Sequence, residues 1–129
     1  MLRVRTLLKM SGIHGIGCFT LEDIKQGQVV WELDPGLDLE LDEVQLKKCP
    51  PAVQDFFKIY SYGQLKNGKH TYILCADHAR HMNHSENPNL LEAGDGNAQN
   101  LAARDIKAGE ELTCNYHEFD ADVQAKLSR

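Results

Sequence analysis

Apolar and polar residues alternate over short stretches broken by glycine, proline or asparagine, the pattern of a chain built from brief strands and tight turns. Leu2 to Lys9 places Leu2, Val4, Thr6 and Leu8 on one face and predicts an edge strand. The run Ser11 to Gly17 predicts a glycine-rich turn, after which Cys18 to Thr20 is extended again. Asp23-Ile24-Lys25-Gln26-Gly27 predicts a second turn, feeding a β-branched strand from Gln28 to Leu33 that Asp34-Pro35-Gly36 ends. Between Asp42 and Tyr60 the period changes. Pro50-Pro51 can open a helix, and Val53, Phe56, Phe57 and Tyr60 recur at helical spacing. Asn67-Gly68 predicts a hairpin whose arms are Tyr62 to Lys66 and Lys69 to Cys75. Ala98 to Arg104 and Leu112 to Tyr116 predict further strands around the turn Lys107-Ala108-Gly109, and Ala121 to Leu127 a short helix. The polar string Arg80 to Asn89 fits neither period. It stops at Pro88 and predicts a loop formed around a ligand or another strand.

The 129 residues suit one domain, 1–129. A net charge of −5 argues against direct nucleic-acid binding and favours a basic protein partner. No apolar run reaches the ~20 residues of a membrane helix, and the alternating start does not read as a leader peptide. Cys18, Cys49, Cys75 and Cys114 show no Cys-x-x-Cys pair, so a structural zinc site is not expected. Four free thiols fit an intracellular compartment, cytoplasmic or, in a eukaryote, nuclear. Asp77, His78, His81 and His84 could share a helix face as metal ligands, but Asn83 and Pro88 interrupt that helix, and no metal is expected. His14-Gly15-Ile16-Gly17 lacks the third glycine and following helix of a dinucleotide fingerprint. The pattern Asp-Ile-Lys-x-Gly occurs at 23–27 and again at 105–109, which reads as repeated turn chemistry.

Asn83-His84-Ser85-Glu86-Asn87-Pro88-Asn89 resembles the Asn-His-Ser-x-x-Pro-Asn signature of SET-domain protein lysine methyltransferases. Gly109-Glu110-Glu111-Leu112-Thr113-Cys114-Asn115-Tyr116 resembles their closing segment, and the two Asp-Ile-Lys-x-Gly turns add a third point of likeness. The likeness runs from Lys9 to Phe119, with 34–70 a variable insert and 117–129 a short tail. It implies a mostly β fold: the β-clip-like SET arrangement of small sheets around a pseudoknot, with one or two short helices. It also implies that the C-terminal strand passes beneath the polar loop, a rare threaded topology. S-adenosylmethionine is the implied cofactor. The resemblance assigns to its pocket His14, Gly15, Ile16 and Gly17, where glycine lets backbone approach the ligand, together with Arg80, Asn83, His84, Tyr116 and a closing aromatic, Phe119. Tyr116 is the implied catalytic residue. Tyr60, Tyr62, Tyr72 and Phe119 are candidate aromatic walls of a lysine channel, in which Cys114 also stands.

The chemistry explains these residue types. An amine must be held in line with a sulfonium-bound methyl group at near-attack distance. A lysine, of reference pKa ~10.4, must first lose its proton, and an apolar channel disfavours the charged form. A tyrosine hydroxyl can orient the amine and stabilise the polarised methyl. The implied substrate is a basic, lysine-containing protein segment. Three positions depart from the family pattern. Glu86 replaces a zinc-binding cysteine, so the tail is expected to close the site by packing alone. Leu33 stands where a second active-site tyrosine is common. Cys114 replaces the phenylalanine or tyrosine that tunes methylation number, and its small side chain leaves room for multiple methylation. Leu33 and Cys114 also motivate an alternative, a catalytically weak SET-like module that binds a peptide or partner.

Overall fold

The computed structural model describes residues 1–128; Arg129, the last residue of the expected tail, lies outside the described residues. Strands β1 (Thr6–Met10) and β2 (Ile16–Thr20) form an antiparallel hairpin that turns at Gly15. The predicted strand from Leu2 is interrupted, and the reason is a change of partner. Leu2 bridges Trp31 and Arg3 N donates to Val30 O at 2.7 Å, so the chain first follows β3 (Val29–Glu32) and only from Thr6 joins β2. Alternation continues across the break, which keeps Val4 buried.

The insert holds more than the one helix expected. β4 (Leu39–Asp42) runs into α1 (Glu43–Lys47), α2 (Pro51–Tyr60) follows, and β5 (Tyr62–Lys66) and β6 (Lys69–Leu74) form the predicted hairpin. Asn67 and Gly68 both take positive φ, as a two-residue hairpin turn requires. A capping box starts α1, with Asp42 accepting from Gln45 N at 2.7 Å and Gln45 Oε1 accepting from Asp42 N. That Asp-x-x-Gln spacing was a readable signal for the extra helix. These strands make a sheet in the order β4-β6-β5 over Leu46, Phe57 and Leu74.

A second three-stranded sheet has the order β3-β9-β8, from β9 (Gln99–Ala102) and β8 (Leu90–Ala93), the latter not predicted from the sequence. The two Asp-Ile-Lys-x-Gly turns lie face to face. Ile24 and Ile106 exchange backbone hydrogen bonds of 2.8 Å in both directions. Asp23 accepts from Ala108 N and Asp105 from Gln26 N, so each aspartate ties down the other turn. Both isoleucines are buried in the main core with Val30, Leu90, Leu112 and Cys114.

The polar loop forms a clasp. A 3₁₀ turn (His78–His81) leads into β7 (Asn83–His84), which pairs in parallel with β10 (Thr113–Cys114). Ser85 N donates to Cys114 O on one side of this closing segment. On the other, Asn89 Nδ2 donates to Glu111 O and Asn89 Oδ1 accepts from Thr113 N. Thus loop 83–89 holds residues 111–114 from both sides, the threaded core expected of the fold. After a short 3₁₀ turn (Tyr116–Glu118), α3 (Val123–Leu127) ends the described chain. Among the described residues, no helix is long and apolar enough to cross a membrane.

Candidate active site

Tyr116 sits where the clasp, the tail and the β1–β2 turn meet. Its backbone N–H donates to His84 Nδ1 at 3.1 Å and its hydroxyl to Met82 O at 2.5 Å. The first bond requires a neutral His84 ring to carry its proton on Nε2, which faces Glu86 Oε1 at 2.9 Å. His84 therefore positions Tyr116 and uses both ring nitrogens doing so.

On one side of Tyr116 lies an outer cleft of about 340 Å³, lined by His14, Gly15, Ile16, Ile59, Tyr60, Arg80, His81, Met82 and Asn83. The resemblance grouped five of those residues in the cofactor pocket, and the fold brings all five together. Asn83 contributes as a tie. Its amide Nδ2 donates to His14 O, Ile16 O and Glu111 Oε1 at 2.9 to 3.3 Å, fixing the turn that forms one wall. Arg80 Nε donates to Cys75 O at 3.0 Å, and its guanidinium lies 5.7 Å from the Phe56 ring. Burial, then the nearby Arg80 and His78, holds the His81 pKa below its ordinary value, favouring the neutral ring.

Gly17 is placed differently from its expected role. A Cβ there would fall 2.2 Å from Glu111 Oε1, so this glycine makes room for a carboxylate and does not line the cleft. Glu111 also accepts from Ser11 Oγ at 2.8 Å. Glu111 and Ser11 were missed in the sequence, although Glu111 stands inside the closing motif. The cleft is within the size range of small-ligand sites. Peptide groups, an arginine and imidazoles around it offer the mixed donors and acceptors that an adenosyl group with an amino-acid end requires.

On the other side of Tyr116 two narrow cavities, of about 50 and 40 Å³, share Tyr62, Cys75, Ala79, Met82, Cys114 and Phe119 as walls. Tyr116 borders the first. Trp31, Glu92, Asn97 and Asn100 border the second. Phe119 packs edge-on against Tyr62 at 5.3 Å and Tyr116 at 6.0 Å. It closes the acceptor side of Tyr116 and does not border the outer cleft assigned to the cofactor. Beyond Phe119 and Asn97 a second outer cleft of about 360 Å³ opens between β5 and residues 117–121. Trp31 Nε1 and the Tyr62 hydroxyl are buried without a hydrogen-bond partner among the described residues. Burial also drives the Tyr62 hydroxyl pKa well above the ordinary phenol value. Leu33 packs beside Tyr62 and Trp31, so Tyr62 provides a hydroxyl where Leu33 lacks one.

Tyr72 is not a channel residue. It lies opposite Gly63 in β6, one position from Ile73, and strand alternation sends it to the other face. There it stacks on His70 at 4.5 Å and packs against the Leu46–Phe57–Leu74 cluster. The metal alternative is also corrected. His78 Nδ1 bonds Thr6 Oγ1 and Asp77 accepts from Leu2 N and Ala79 N, so these groups hold the β1 end of the fold. Among the described residues the metal-type side chains that converge are His84, Glu86 and His117, within 4.8 Å of one another.

The tail closes the site by more than packing. Lys126 Nζ, nearly buried, donates to Ser61 O and Asp120 Oδ2 and lies 5.6 Å from the Tyr116 ring centroid. Gly63 N donates to Asp120 Oδ1 and His70 Nε2 meets Asp122 Oδ2, both at 2.9 Å. A Cβ at Gly63 would sit 2.1 Å from Asp122 Oδ2, so glycine is what lets the tail approach β5.

Comparison with known proteins agrees with this arrangement. The sequence profile described as the SET domain matches residues 15–117. No curated protein matches the chain. Among solved structures, apo Polycomb Repressive Complex 2 of Chaetomium thermophilum in an autoinhibited state is 23% identical with a TM-score of 0.68, covering 97% of this chain and 17% of that one. The same complex, autoinhibited and bound to S-adenosylmethionine, is 21% identical with a TM-score of 0.66, covering 97% and 16%. A provisionally assigned histone methyltransferase of Plasmodium falciparum is 20% identical with a TM-score of 0.59, covering 89% and 95%. The chain thus spans about a sixth of the polycomb chains and nearly all of the Plasmodium one. With a profile match over most of its length and the clasped closing strand that the fold demands, the chain belongs to the SET-domain family.

Proposed function

We propose that the chain is an S-adenosylmethionine-dependent methyltransferase acting on the side-chain amine of lysine in a protein. The observation that carries this reading is the position of Tyr116 as the shared wall of an outer cleft and a narrow inner passage. Two reactants approaching from the two cavities would meet at this shared wall, which Ile59, Tyr60, Arg80 and Met82 complete. The His14–Ile16 turn, Arg80 and Asn83 would hold the cofactor, which when bound would supply a methyl group on a sulfonium. Tyr116 keeps its hydroxyl at Met82 O and presents its oxygen to the transferring group. Tyr62, Phe119 and Cys114 exclude water from the passage and so disfavour an ammonium within it. Cys114 is small, which leaves space for more than one methyl.

The acceptor enters from the cleft beside β5, an edge strand of its sheet. Gly63 on that edge is already bonded to the tail, and edge backbone beyond it can pair with an extended peptide. Glu118 beside that cleft, with a net charge of −5, favours a basic segment. Four free cysteines, of which burial raises Cys18 and Cys75 to about 12, fit an intracellular setting.

One observation favours the alternative of a binding module without transfer: the Lys126 amine stands in the inner cavity next to Tyr116. Calorimetry with S-adenosylmethionine, followed by transfer of labelled methyl to core histones, separates the two readings. Binding with transfer that is lost in Tyr116→Phe supports the enzyme. Binding without transfer to any of a set of basic proteins would favour the module.

A further inference from the structure

Strand alternation on β8 buries Leu90, exposes Leu91 and turns Glu92 inward. Glu92 lies opposite Asn100, and Asn100 opposite Trp31, so the three form a row across the β3-β9-β8 sheet. All three line the inner cavity with Tyr62, Cys114 and Phe119. A carboxylate is the costliest group to place in such a wall. Asn100 Nδ2 donates to Glu92 Oε1 at 2.6 Å, which orients it. Two further buried polar atoms of cavity-lining residues, Trp31 Nε1 and Tyr62 Oη, have no hydrogen-bond partner among the described residues. A cavity of about 40 Å³ with a carboxyl in its wall suits a small polar guest.

The β5 cleft shares Asn97 and Phe119 with this cavity, which in turn shares six walls with the cavity at Tyr116, so a route past Phe119 would lead from one to the next. An unbranched alkylammonium is narrow enough to follow it, and its charge matches the carboxylate. We infer that Glu92 receives the alkylammonium group of the acceptor in the inner cavity and takes up its proton before the amine reacts. The step is R–NH₃⁺ + Glu–COO⁻ → R–NH₂ + Glu–COOH. The N–H bond breaks, its electron pair stays on nitrogen as the nucleophile, and the carboxylic acid later returns the proton to solvent. This inference rests on the methyltransferase reading for what the freed amine then does.

The electrostatics fit that task. Burial pushes the Glu92 carboxyl up to about 7, the Asn100 hydrogen bond opposes the rise, and Glu118 adds to it. Near neutral pH such a group can both accept and release a proton. Lys126, paired with Asp120, lines the adjoining cavity at Tyr116; the other titratable groups facing the Glu92 cavity are Tyr62 on β5, Cys75 after β6 and Cys114 on β10. Burial raises the pKa of each, so they stay neutral while Glu92 titrates.

The test uses n-butylammonium as the probe, with calorimetry in two buffers of different ionisation enthalpy. At pH 6 a protonated Glu92 must give up close to one proton to admit the cation; at pH 8, where it is already charged, release should approach zero. Glu92→Gln keeps an oxygen for Asn100 to bond. It should release no proton at either pH and bind the probe about tenfold more weakly. Asn100→Leu removes the opposing hydrogen bond and should move the release midpoint upward. With core histones and labelled cofactor, Glu92→Gln should lower kcat by about 10²-fold at pH 7, a deficit that narrows toward pH 10 as free amine accumulates. Probe binding without proton release at pH 6, or equal release in Glu92→Gln, overturns the inference. If wild-type protein transfers no methyl while proton release is intact, the methyltransferase reading fails and the alkylammonium site stands. Transfer without proton release sinks the Glu92 role and leaves the methyltransferase reading in place.

Discussion

The two sides of Tyr116 are built on opposite plans. The cofactor-side cleft is wired before any ligand arrives: Asn83 ties the His14–Ile16 turn to Glu111, Glu111 holds Ser11, and His84 holds the Tyr116 backbone. The inner side leaves polar atoms unpaired among the described residues, with Trp31 Nε1 and the Tyr62 hydroxyl lacking partners, and burial pushes a carboxyl up to about 7. Satisfied networks fix geometry, while unsatisfied buried groups store affinity for what will pair with them. One side is a mould and the other is a receptor. Substitutions on either side set these plans against each other.

Tyr116→Phe carries the largest expected effect, because this residue belongs to both sides. Transfer to core histones should fall by about 10²–10³-fold. Affinity for S-adenosylmethionine, measured by calorimetry, should change by less than about threefold, since the ring and the His84 bond remain. A proportionate loss of cofactor affinity would place the hydroxyl on the mould alone.

Lys126→Met attacks the seal of the receptor side. Asp120 keeps its bonds from Gly63 N and Asp122 N but loses the cation at Oδ2 in a fully buried position. Removing one member of a buried pair should cost about 3 kcal/mol, read by urea denaturation. If the tail acts only through apolar packing, the cost will be near zero. Asn83→Ala attacks the mould instead. Three acceptors lose one donor, and about 2 kcal/mol should be lost together with cofactor affinity.

These two sites also mark what the sequence could convey. Asn83 and His84 lie in a contiguous polar string that no strand or helix period explains, and such a string betrays a ligand or a threaded strand; Tyr116 reads as the end of a strand and stands out only through the closing motif. Glu92 and Lys126 carry no such mark. Glu92 reads as an ordinary charge among Leu90, Leu91 and Ala93, and only the register Glu92–Asn100–Trp31 turns it inward. Lys126 looks like a helix-surface lysine until the tail folds it onto Ser61 and Asp120. The fold was legible where turn residues are obligatory, as at Asn67-Gly68 and the paired Asp-Ile-Lys-x-Gly turns. It was illegible at β1, where Leu2 to Lys9 keeps one alternation while its hydrogen-bonding partner changes.

The stability of Glu92→Gln should depend on pH in a way no residue of the mould can match. The Glu92 carboxyl titrates near 7 in the fold against an ordinary 4.5, so the folded state binds that proton more tightly than the unfolded chain. Its contribution is intact below pH 4.5 and is lost as pH rises through 7, where a charged carboxylate is buried at a cost. Glutamine removes the cost. The variant should match wild type at pH 4 and be more stable by about 2 kcal/mol at pH 8, allowing for its partial exposure. Equal stability at both values would mean that water screens Glu92 and that the receptor plan lacks its central charge.

The smallest effect is expected at Tyr72, and its smallness is informative. Sequence resemblance put Tyr72 and Tyr62 in the same channel, and the hairpin separates them because Tyr62 pairs with Ile73 while Gly63 pairs with Tyr72. Tyr72→Phe keeps the stack on His70 and the contact with the Leu46 cluster. Transfer should stay within about twofold of wild type and stability within about 0.5 kcal/mol. Tyr62→Phe, one register position away, removes a buried hydroxyl with no hydrogen-bond partner among the described residues. It should cost nothing in stability or raise it, while weakening n-butylammonium binding by about tenfold. Two tyrosines on one hairpin therefore answer the same substitution differently, and a loss of n-butylammonium binding in Tyr72→Phe matching that in Tyr62→Phe would show that the receptor extends through the sheet.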